Sequence, residues 1–240
     1  MVTLATVRRR GLRVLAWLGV LLVVTAAVLG YRGLRVLWSI DDYAAYWDRR
    51  AEADGELLYV ALGTSLAQGL GAELPQRGYV GLLADDLDAV TGQSVAVVNL
   101  SASGAEASDV VADQLPALEA LMDAGADPAL VTLDVGANDV GRTSAQDFAR
   151  ELEQILDALP AGTLVADVPD FGGGPSRSQA RRLSAVLRGC VADHGRLVQV
   201  DLEEATAGMG WGAWGGDWFH PSDAGYRIYR DAFRDAADVV

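Results

Sequence analysis

The 240-residue sequence has no lysine, one cysteine and two histidines, and each scarcity narrows the chemistry that the chain supports. Because Cys190 is the only cysteine, no disulfide can form within the chain, and a structural cysteine-based zinc site is also excluded. Cys190 follows Val186 and Leu187 in a helical apolar pattern, which favours a buried structural thiol over a nucleophile. An imidazole general base must be His194 or His220. We expect neither a metal nor another cofactor.

Acidic residues are absent from the start of the chain. None precedes Asp41, whereas six of the 19 arginines do: Arg8, Arg9, Arg10, Arg13, Arg32 and Arg35. The rest of the chain carries 13 arginines against 33 acidic residues, which describes an acidic domain behind a basic, apolar leader. Because such a domain repels phosphates, the charge argues against nucleic acid as a partner.

The leader contains a charge-free apolar run, Val14–Gly30, near the lower length limit for a membrane span. The heavier arginine cluster precedes it, which places the carboxyl-terminal domain outside the cytoplasm. Small residues at Val24–Ala26 leave a cleaved signal peptide, and hence a secreted protein, as the alternative. We favour a retained anchor because the arginines resume soon after the run. The predicted segments are a cytoplasmic basic segment at 1–13, a transmembrane signal-anchor at 14–31, a juxtamembrane helix or stalk at 32–55 and a soluble domain at 56–240.

Short apolar runs and helical patterns alternate through the soluble domain. The predicted strands are Leu57–Leu62, Ser94–Leu100, Ala129–Leu133, Thr163–Val168 and Leu197–Val200. Ser108, Ser144 and Asp223 are the predicted N-caps of three of the intervening helices. Repeated strand–helix units predict a five-stranded parallel sheet with helices on both faces.

Ser65 occupies the turn after the first predicted strand, where Gly63 ends the apolar run. One interpretation is an ordinary N-cap for the following helix. The other is a functional serine, because its hydroxyl projects from the carboxyl edge of a parallel sheet and its N–H lies at a helix N-terminus.

Three further segments follow predicted strands or end the last loop. Asp217 and His220 lie three residues apart, so one turn allows the carboxylate to accept from Nδ1–H and leaves Nε2 for a serine hydroxyl. Gly104 permits close backbone approach of a ligand, and Asn138 offers an amide donor, as an oxyanion site requires. An ordinary loop histidine and ordinary turns are the structural alternatives.

These blocks, in this order, resemble the SGNH hydrolase family, also called GDSL-type esterases and lipases. They read Gly63-Thr64-Ser65-Leu66, Gly104 within Asn99–Asp109, Gly136-Ala137-Asn138-Asp139 and Asp217-Trp218-Phe219-His220-Pro221. The resemblance covers the chain from Leu57 onward and implies a three-layer α/β/α sandwich with a flavodoxin-like sheet. It also implies Ser65 as nucleophile, His220 as base and then acid, Asp217 as its orienting partner, and oxyanion donors from Ser65, Gly104 and Asn138. Thr64 stands where the family usually has aspartate.

The resulting expectation is a membrane-anchored extracytoplasmic esterase acting on a small acyl ester, a lipid or an acylated carbohydrate. Acyl transfer to a sugar or lipid hydroxyl, or a catalytically silent binding module, are the alternatives. Trp211 and Trp214 lie among glycines before His220, and we expect them to wall or cover an apolar acyl site. Trp218 and Phe219 are expected to pack under the loop.

Overall fold

The computed structural model describes residues 4–171 and 176–237, with side chains from Trp17 onward. Its centre is a five-stranded parallel sheet in the order β2-β1-β3-β4-β5, which is the flavodoxin-like order that the resemblance implied. The strands are β1 (Leu57–Gly63), β2 (Val95–Asn99), β3 (Leu130–Asp134), β4 (Leu164–Ala166) and β5 (Val198–Val200). All five predicted strands are confirmed, and each matches to within about two residues at either end.

Helices connect the strands and precede the first. They are α1 (Leu4–Trp38), α2 (Ile40–Ala51), α3 (Ser65–Gln68), α4 (Tyr79–Thr91), α5 (Ala107–Asp109), α6 (Leu115–Asp123), α7 (Ala145–Ala158), α8 (Arg177–His194), α9 (Leu202–Thr206) and α10 (Asp223–Ala236). Short 3₁₀ turns occupy Pro75–Arg77 and Trp211–Ala213, and a π-helical turn, Val110–Gln114, joins α5 to α6.

Two apolar layers cover the two faces of the sheet. Along β1, Tyr59 and Ala61 face the layer formed with α2, α4 and α10, whereas Val60 and Leu62 face the layer formed with α6, α7 and α8. Because β1 is buried on both faces, its sequence is a continuous apolar run instead of an alternating one. The three-layer α/β/α architecture is therefore confirmed.

Helix starts show where the sequence interpretation was right and where it was wrong. Ser144 caps α7 as predicted, accepting from the Asp147 N–H at 3.1 Å. Ser108 lies inside α5, whose N-cap is Glu106. The N-cap of α10 is Ser222, which leaves the neighbouring Asp223 carboxylate to accept from the Glu73 N–H at 2.7 Å. Adjacent Ser and Asp residues compete for a cap, so local sequence does not decide between them.

The scarce residues near the end of α8 are structural. His194 is the last residue of the helix, and its Nδ1 lies 2.8 Å from the Cys190 carbonyl oxygen, as suits a side chain at a helix C-terminus. Cys190 is half-buried, and burial is the main cause that raises its thiol pKa to about 11. At that pKa the thiol stays protonated at neutral pH, consistent with the predicted structural role.

Segment 32–55, which was predicted as a juxtamembrane helix or stalk, packs on the domain. The Tyr43 hydroxyl donates to the Ala72 carbonyl at 2.8 Å, and the Trp47 indole N–H donates to the Gln68 carbonyl at 2.9 Å. Ser39 is the single residue between α1 and α2. Helix α2 is therefore fixed to the domain, and α1 leads into α2 with only Ser39 between them.

Asp134, the last residue of β3, is 1% exposed and lies close enough to the buried Tyr79 of α4 and Tyr229 of α10 to affect them electrostatically. Neither carboxylate oxygen has a hydrogen-bond partner among the described residues. Burial raises the pKa of Asp134 to about 7, so its carboxyl remains largely protonated in mildly acidic solution.

The raised pKa of Asp134 predicts a pH-dependent stability. Between its unfolded pKa of about 4 and its folded pKa near 7, the unfolded chain releases the proton and the folded chain keeps it. The free energy of unfolding should therefore fall as pH rises through that window, by at most about 1.4 kcal/mol per pH unit. Asp134→Asn should flatten this fall in urea unfolding at pH 5 and pH 8. The exposed Asp127→Asn serves as control, and a slope unchanged in Asp134→Asn would contradict the assignment.

Candidate active site

The turn between β1 and α3 presents Ser65. Gly63 has a φ of +140°, and a Cβ at this position would lie 2.3 Å from the Asp134 carbonyl oxygen, so a side chain does not fit. Thr64 is the N-cap of α3, its hydroxyl accepting from the Leu66 N–H at 3.2 Å. Ser65 is the first residue of α3 and does not act as its cap, which removes the N-cap interpretation.

A hydrogen-bonded chain links Ser65, His220 and Asp217. His220 Nε2 lies 2.8 Å from Ser65 Oγ, although the two residues are 155 positions apart. On the other side of the ring, Nδ1 lies 2.6 Å from Asp217 Oδ2. Ser65 and His220 are 4% and 8% exposed, so the chain is largely shielded from solvent. This geometry favours the tautomer in which Nδ1–H donates to Asp217 and Nε2 accepts a hydrogen bond from the Ser65 hydroxyl.

Asp217 is held as an anion by its surroundings. Burial is the largest influence and acts to raise its pKa, but the bonds and charge of His220 outweigh burial, and the net pKa lies below the ordinary value. Asp217 Oδ1 also accepts from the N–H groups of Phe219 and His220, at 3.1 and 3.0 Å. A single turn therefore orients the carboxylate through both oxygens.

Phe219 packs under the loop as predicted, and Trp218 does not. The Phe219 ring stacks on Phe171 at 5.0 Å between centroids and meets the His220 ring edge-on at 4.9 Å. Trp218 is 47% exposed and has a φ of +60°, which turns its ring outward. The expectation for Trp218 was wrong because a left-handed residue reverses the direction in which its side chain leaves the loop.

The two tryptophans expected at an acyl site differ in exposure. Trp211 is 81% exposed, and its ring meets that of Trp218 edge-on at 5.0 Å. Trp214 is half-buried and forms an isolated antiparallel bridge with Pro221, next to His220.

The loops that carry Gly104 and Asn138 adjoin each other and the Ser65 turn. The Ala102 N–H donates to the Gly63 carbonyl at 3.2 Å. Asn138 Nδ2 donates to the Ala105 carbonyl at 2.9 Å, which uses one of its two amide hydrogens. Gly104 has a φ of +83°, and a Cβ built there meets no heavy atom within 4 Å. The backbone at Gly104 therefore borders open space beside the serine turn.

Side-chain amides that the sequence interpretation missed hold these loops together. Gln114 Nε2 donates to the Gly63 carbonyl and its Oε1 accepts from the Gly63 N–H, both at 2.8 Å. Gln68 Nε2 donates to the Ser101 carbonyl at 3.0 Å, and its Oε1 accepts from the Ser103 hydroxyl. Both glutamines are buried inside helical turns, and a polar residue within an apolar helical pattern was the available signal.

Asp139 ties the Asn138 loop to α5. Its two carboxylate oxygens lie 3.1 and 3.3 Å from the Ala107 N–H, which donates to them at the start of that helix. Burial is the main cause that raises the pKa of Asp139 to about 6, and the Ala107 N–H opposes it. In residues 4–171 and 176–237, no three His, Cys, Asp or Glu side chains are grouped to hold a metal ion.

A serine, histidine and aspartate joined in this order at the carboxyl edge of a parallel sheet is an arrangement typical of serine hydrolases. Residues 61–228 match the model of the GDSL-like lipase/acylhydrolase family, and the chain belongs to that family. It is therefore an ester hydrolase, as the resemblance implied.

Solved structures share the fold. LAE5, an alpha/beta hydrolase enzyme from the metagenome of Lake Arreo, Spain, is 20% identical, with a TM-score of 0.62 over 78% of this chain and 97% of its own. The acetylxylan esterase Axe2 from Geobacillus stearothermophilus is 20% identical, with a TM-score of 0.59 over 75% and 94%. TesA is 25% identical, with a TM-score of 0.61 over 75% and 98%. Comparison with curated protein sequences gave no match.

The Gln114 amide predicts a local stability effect. Gln114→Met keeps the side-chain length but leaves the buried N–H of Gly63 without a partner and its carbonyl with only the Ala102 N–H, which should cost about 1–3 kcal/mol. Urea unfolding of the full-length protein measures the loss. Gln154→Met, on the exposed face of α7, is the matched control and should change stability by less than about 0.5 kcal/mol. Equal effects of the two substitutions would show that the Gly63 pairing carries no special weight.

Proposed function

We propose that the chain is a serine esterase in which Ser65 is the nucleophile. His220 Nε2 takes the Ser65 proton as Oγ bonds to the acyl carbon, then returns it to the departing alcohol oxygen as the ester bond breaks. Water next gives a proton to His220 while its oxygen attacks the acyl-enzyme, and the acid leaves with Ser65 restored. Asp217 keeps the ring in the required tautomer. The observation that carries this proposal is the Asp217–His220–Ser65 hydrogen-bonded chain.

The proposed oxyanion donors are the Ser65 N–H, the Gly104 N–H and the remaining amide hydrogen of Asn138. The contacts of Ala102 with Gly63 and of Asn138 with Ala105 support this assignment, since they bring the three segments to one edge of the sheet. Donors held by the backbone need no reorganisation as negative charge develops on the carbonyl oxygen.

Thr64 bears on the alternative of a silent binding module. Its hydroxyl supplies the N-cap contact at the start of α3, and the Ser65–His220 distance of 2.8 Å is that of an intact hydrogen bond. An aspartate at this position is therefore not needed to place Ser65, which supports an active enzyme.

Membrane anchoring through α1 is the second part of the proposal. The described part of α1 contains an apolar stretch of which 6% is buried by the rest of the protein, and its large apolar side chains face outward, with Trp17 73% and Leu22 71% exposed. A core helix would be covered by protein, so α1 fits a membrane segment or a signal sequence. The arginine asymmetry and the continuity of α1 with the packed helix α2 favour a retained anchor and an extracytoplasmic domain.

The acyl acceptor separates hydrolysis from acyl transfer, since both reactions use the same residues. Product analysis with and without a sugar or lipid alcohol distinguishes them: a free acid as the sole product supports hydrolysis.

Within the proposed site, Trp214 beside His220 lines the pocket for the acyl group, and the exposed Trp211 lies at the rim of that pocket.

Substitution of the proposed triad is the direct test. Ser65→Ala and His220→Ala should each lower kcat on p-nitrophenyl esters by roughly 10³-fold or more, and the double variant should lose little beyond that, because the pair acts as a unit. Asp217→Asn should cost less than either, because nucleophile and base remain. Thermal unfolding controls for folding. A folded Ser65→Ala enzyme with unchanged turnover would refute the mechanism.

The oxyanion assignment predicts a selective effect on turnover. Asn138→Ala should lower kcat about 10²–10³-fold and change KM little, because the donor acts mainly in the transition state. Steady-state kinetics on a short-chain ester separate the two constants. A rise in KM with kcat unchanged would instead place Asn138 in substrate binding.

Topology is tested independently of activity. A reporter that functions only outside the cytoplasm, fused after Val240, should be active, because the arginine-rich end stays inside. Carbonate-washed membranes should retain the full-length chain. A soluble mature form beginning near Ala27 would replace the anchor by a signal peptide.

A further inference from the structure

Helix α1 touches the loop that carries Asp217. A Cβ on Gly33 would lie 3.7 Å from the Gly216 carbonyl oxygen and 3.9 Å from Asp217 Cα. A Cβ on Gly216 would lie 2.5 Å from the Arg32 carbonyl oxygen. Glycines on both sides therefore bring the two backbones into direct contact, and the helix fixes where this loop sits.

The contact lies close to the end of the apolar run. Gly33 follows Gly30 by three residues, which is about 4.5 Å along a helix axis. If the run ends at the hydrocarbon boundary, the backbone of Asp217 lies at the depth of the lipid headgroups. Tyr43 and Trp47 on α2 lock this arrangement through their bonds to the segment that follows Ser65.

Exposed aromatic rings occur both on this part of α1 and on the loop before His220. On the helix, Tyr31 is 59% exposed and Trp38 is 66% exposed. On the loop, the paired rings of Trp211 and Trp218 are 81% and 47% exposed. Tryptophan and tyrosine favour the headgroup region of a bilayer, where an apolar ring and a polar N–H or O–H are both satisfied.

Two arginines on this part of α1 complement an anionic leaflet. Arg32 and Arg35 lie within two turns of the end of the apolar run, are exposed, and form no ion pair with any residue that the structure describes. Each such cation adds about 1 kcal/mol of attraction near an anionic leaflet. The acidic domain is otherwise repelled by such a surface, so these cations favour close approach on this side.

From these contacts we propose that the active site opens at the surface of the bilayer that α1 crosses, and that its substrate is an acyl lipid of that leaflet. The inference rests on the proposed esterase function and its anchor. The reaction consumes one water: the lipid ester C–O bond breaks, the acyl carbon gains OH, and the lipid alcohol oxygen gains H. A soluble acetylated sugar would gain nothing from this placement.

The experiment moves the domain away from the bilayer surface without changing its internal contacts. Seven helix-forming Ala and Gln residues inserted between Gly30 and Tyr31 add close to two turns, or about 10 Å, and leave every residue from Tyr31 onward in its present contacts. The same seven residues inserted between Arg10 and Gly11, before the apolar run, are the matched control. Both full-length variants are reconstituted in vesicles of phosphatidylcholine and phosphatidylglycerol at 4:1.

Two readouts are compared with wild type. Hydrolysis of vesicle phosphatidylglycerol should fall at least about 10-fold after the Gly30 insertion, because the effective lipid concentration at Ser65 falls. Hydrolysis of soluble p-nitrophenyl acetate should change less than about 2-fold, since Ser65, His220 and Asp217 are unaltered. The Arg10 insertion should leave both rates near those of wild type.

Depth is measured separately from activity. In a Cys190→Ser background, a nitrobenzoxadiazole label at Gly212→Cys should show blue-shifted emission in vesicles and quenching by headgroup-labelled lipids. A label at Ala124→Cys, on the opposite edge of the sheet, should remain water-like. The Gly30 insertion should abolish the shift at Gly212.

Water-like emission at both labels, or equal loss of lipid and soluble-ester activity after the Gly30 insertion, would overturn the interfacial placement. The placement would also be overturned if the wild-type protein hydrolysed the soluble ester but left the vesicle lipid intact. This result would not contradict the proposed esterase function. If the wild-type protein did not hydrolyse the soluble ester, the proposed function would be refuted. The label at Gly212→Cys would still report the depth of the loop in the bilayer.

Discussion

The close approach of β1 to β3 at Gly63 is the constraint on which the site depends. The Asp134 carbonyl leaves no room for a side chain there, and the Gln114 amide satisfies both backbone groups of Gly63. The strand ends at Gly63 and the chain turns into α3, which brings Ser65 to the carboxyl edge of the sheet. Because the last loop returns to the same edge, His220 reaches Ser65 across 155 positions of sequence.

Much of the fold could be predicted because the sheet is parallel and doubly covered. Strands such as β1 are uninterrupted apolar runs, and their ends follow from glycine and polar residues in the sequence. The pairing of Asp217 with His220 was also accessible, since both lie within one turn. The amide contacts of Gln68 and Gln114 were not, because their partners are distant in sequence and any polar helical residue could equally face solvent.

Two predictions, the N-cap of α10 and the packing of Trp218, were wrong because each depends on the conformation or contacts of a single residue. Ser222 and Asp223 are both good N-caps, and Ser222 takes this role while the Asp223 carboxylate bonds to the Glu73 N–H and to Arg77. Trp218 turns outward because its backbone is left-handed, which composition does not reveal. The docking of α2 through Tyr43 and Trp47 also depends on tertiary contacts, since an amphipathic pattern predicts a helix with a buried face without naming the surface that covers it.

Because only Ser39 connects α1 to α2, the domain has no flexible linker that would let it move away from α1. A flexible linker as long as segment 32–55 would span on the order of 27 Å and let an enzyme sample a volume of solvent. With α2 packed on the domain and α1 leading directly into α2, the edge of the sheet that carries Ser65 moves together with α1. In the proposed membrane-anchored enzyme, lateral diffusion of the helix would set how often the enzyme meets a substrate, and its concentration would be counted per membrane area.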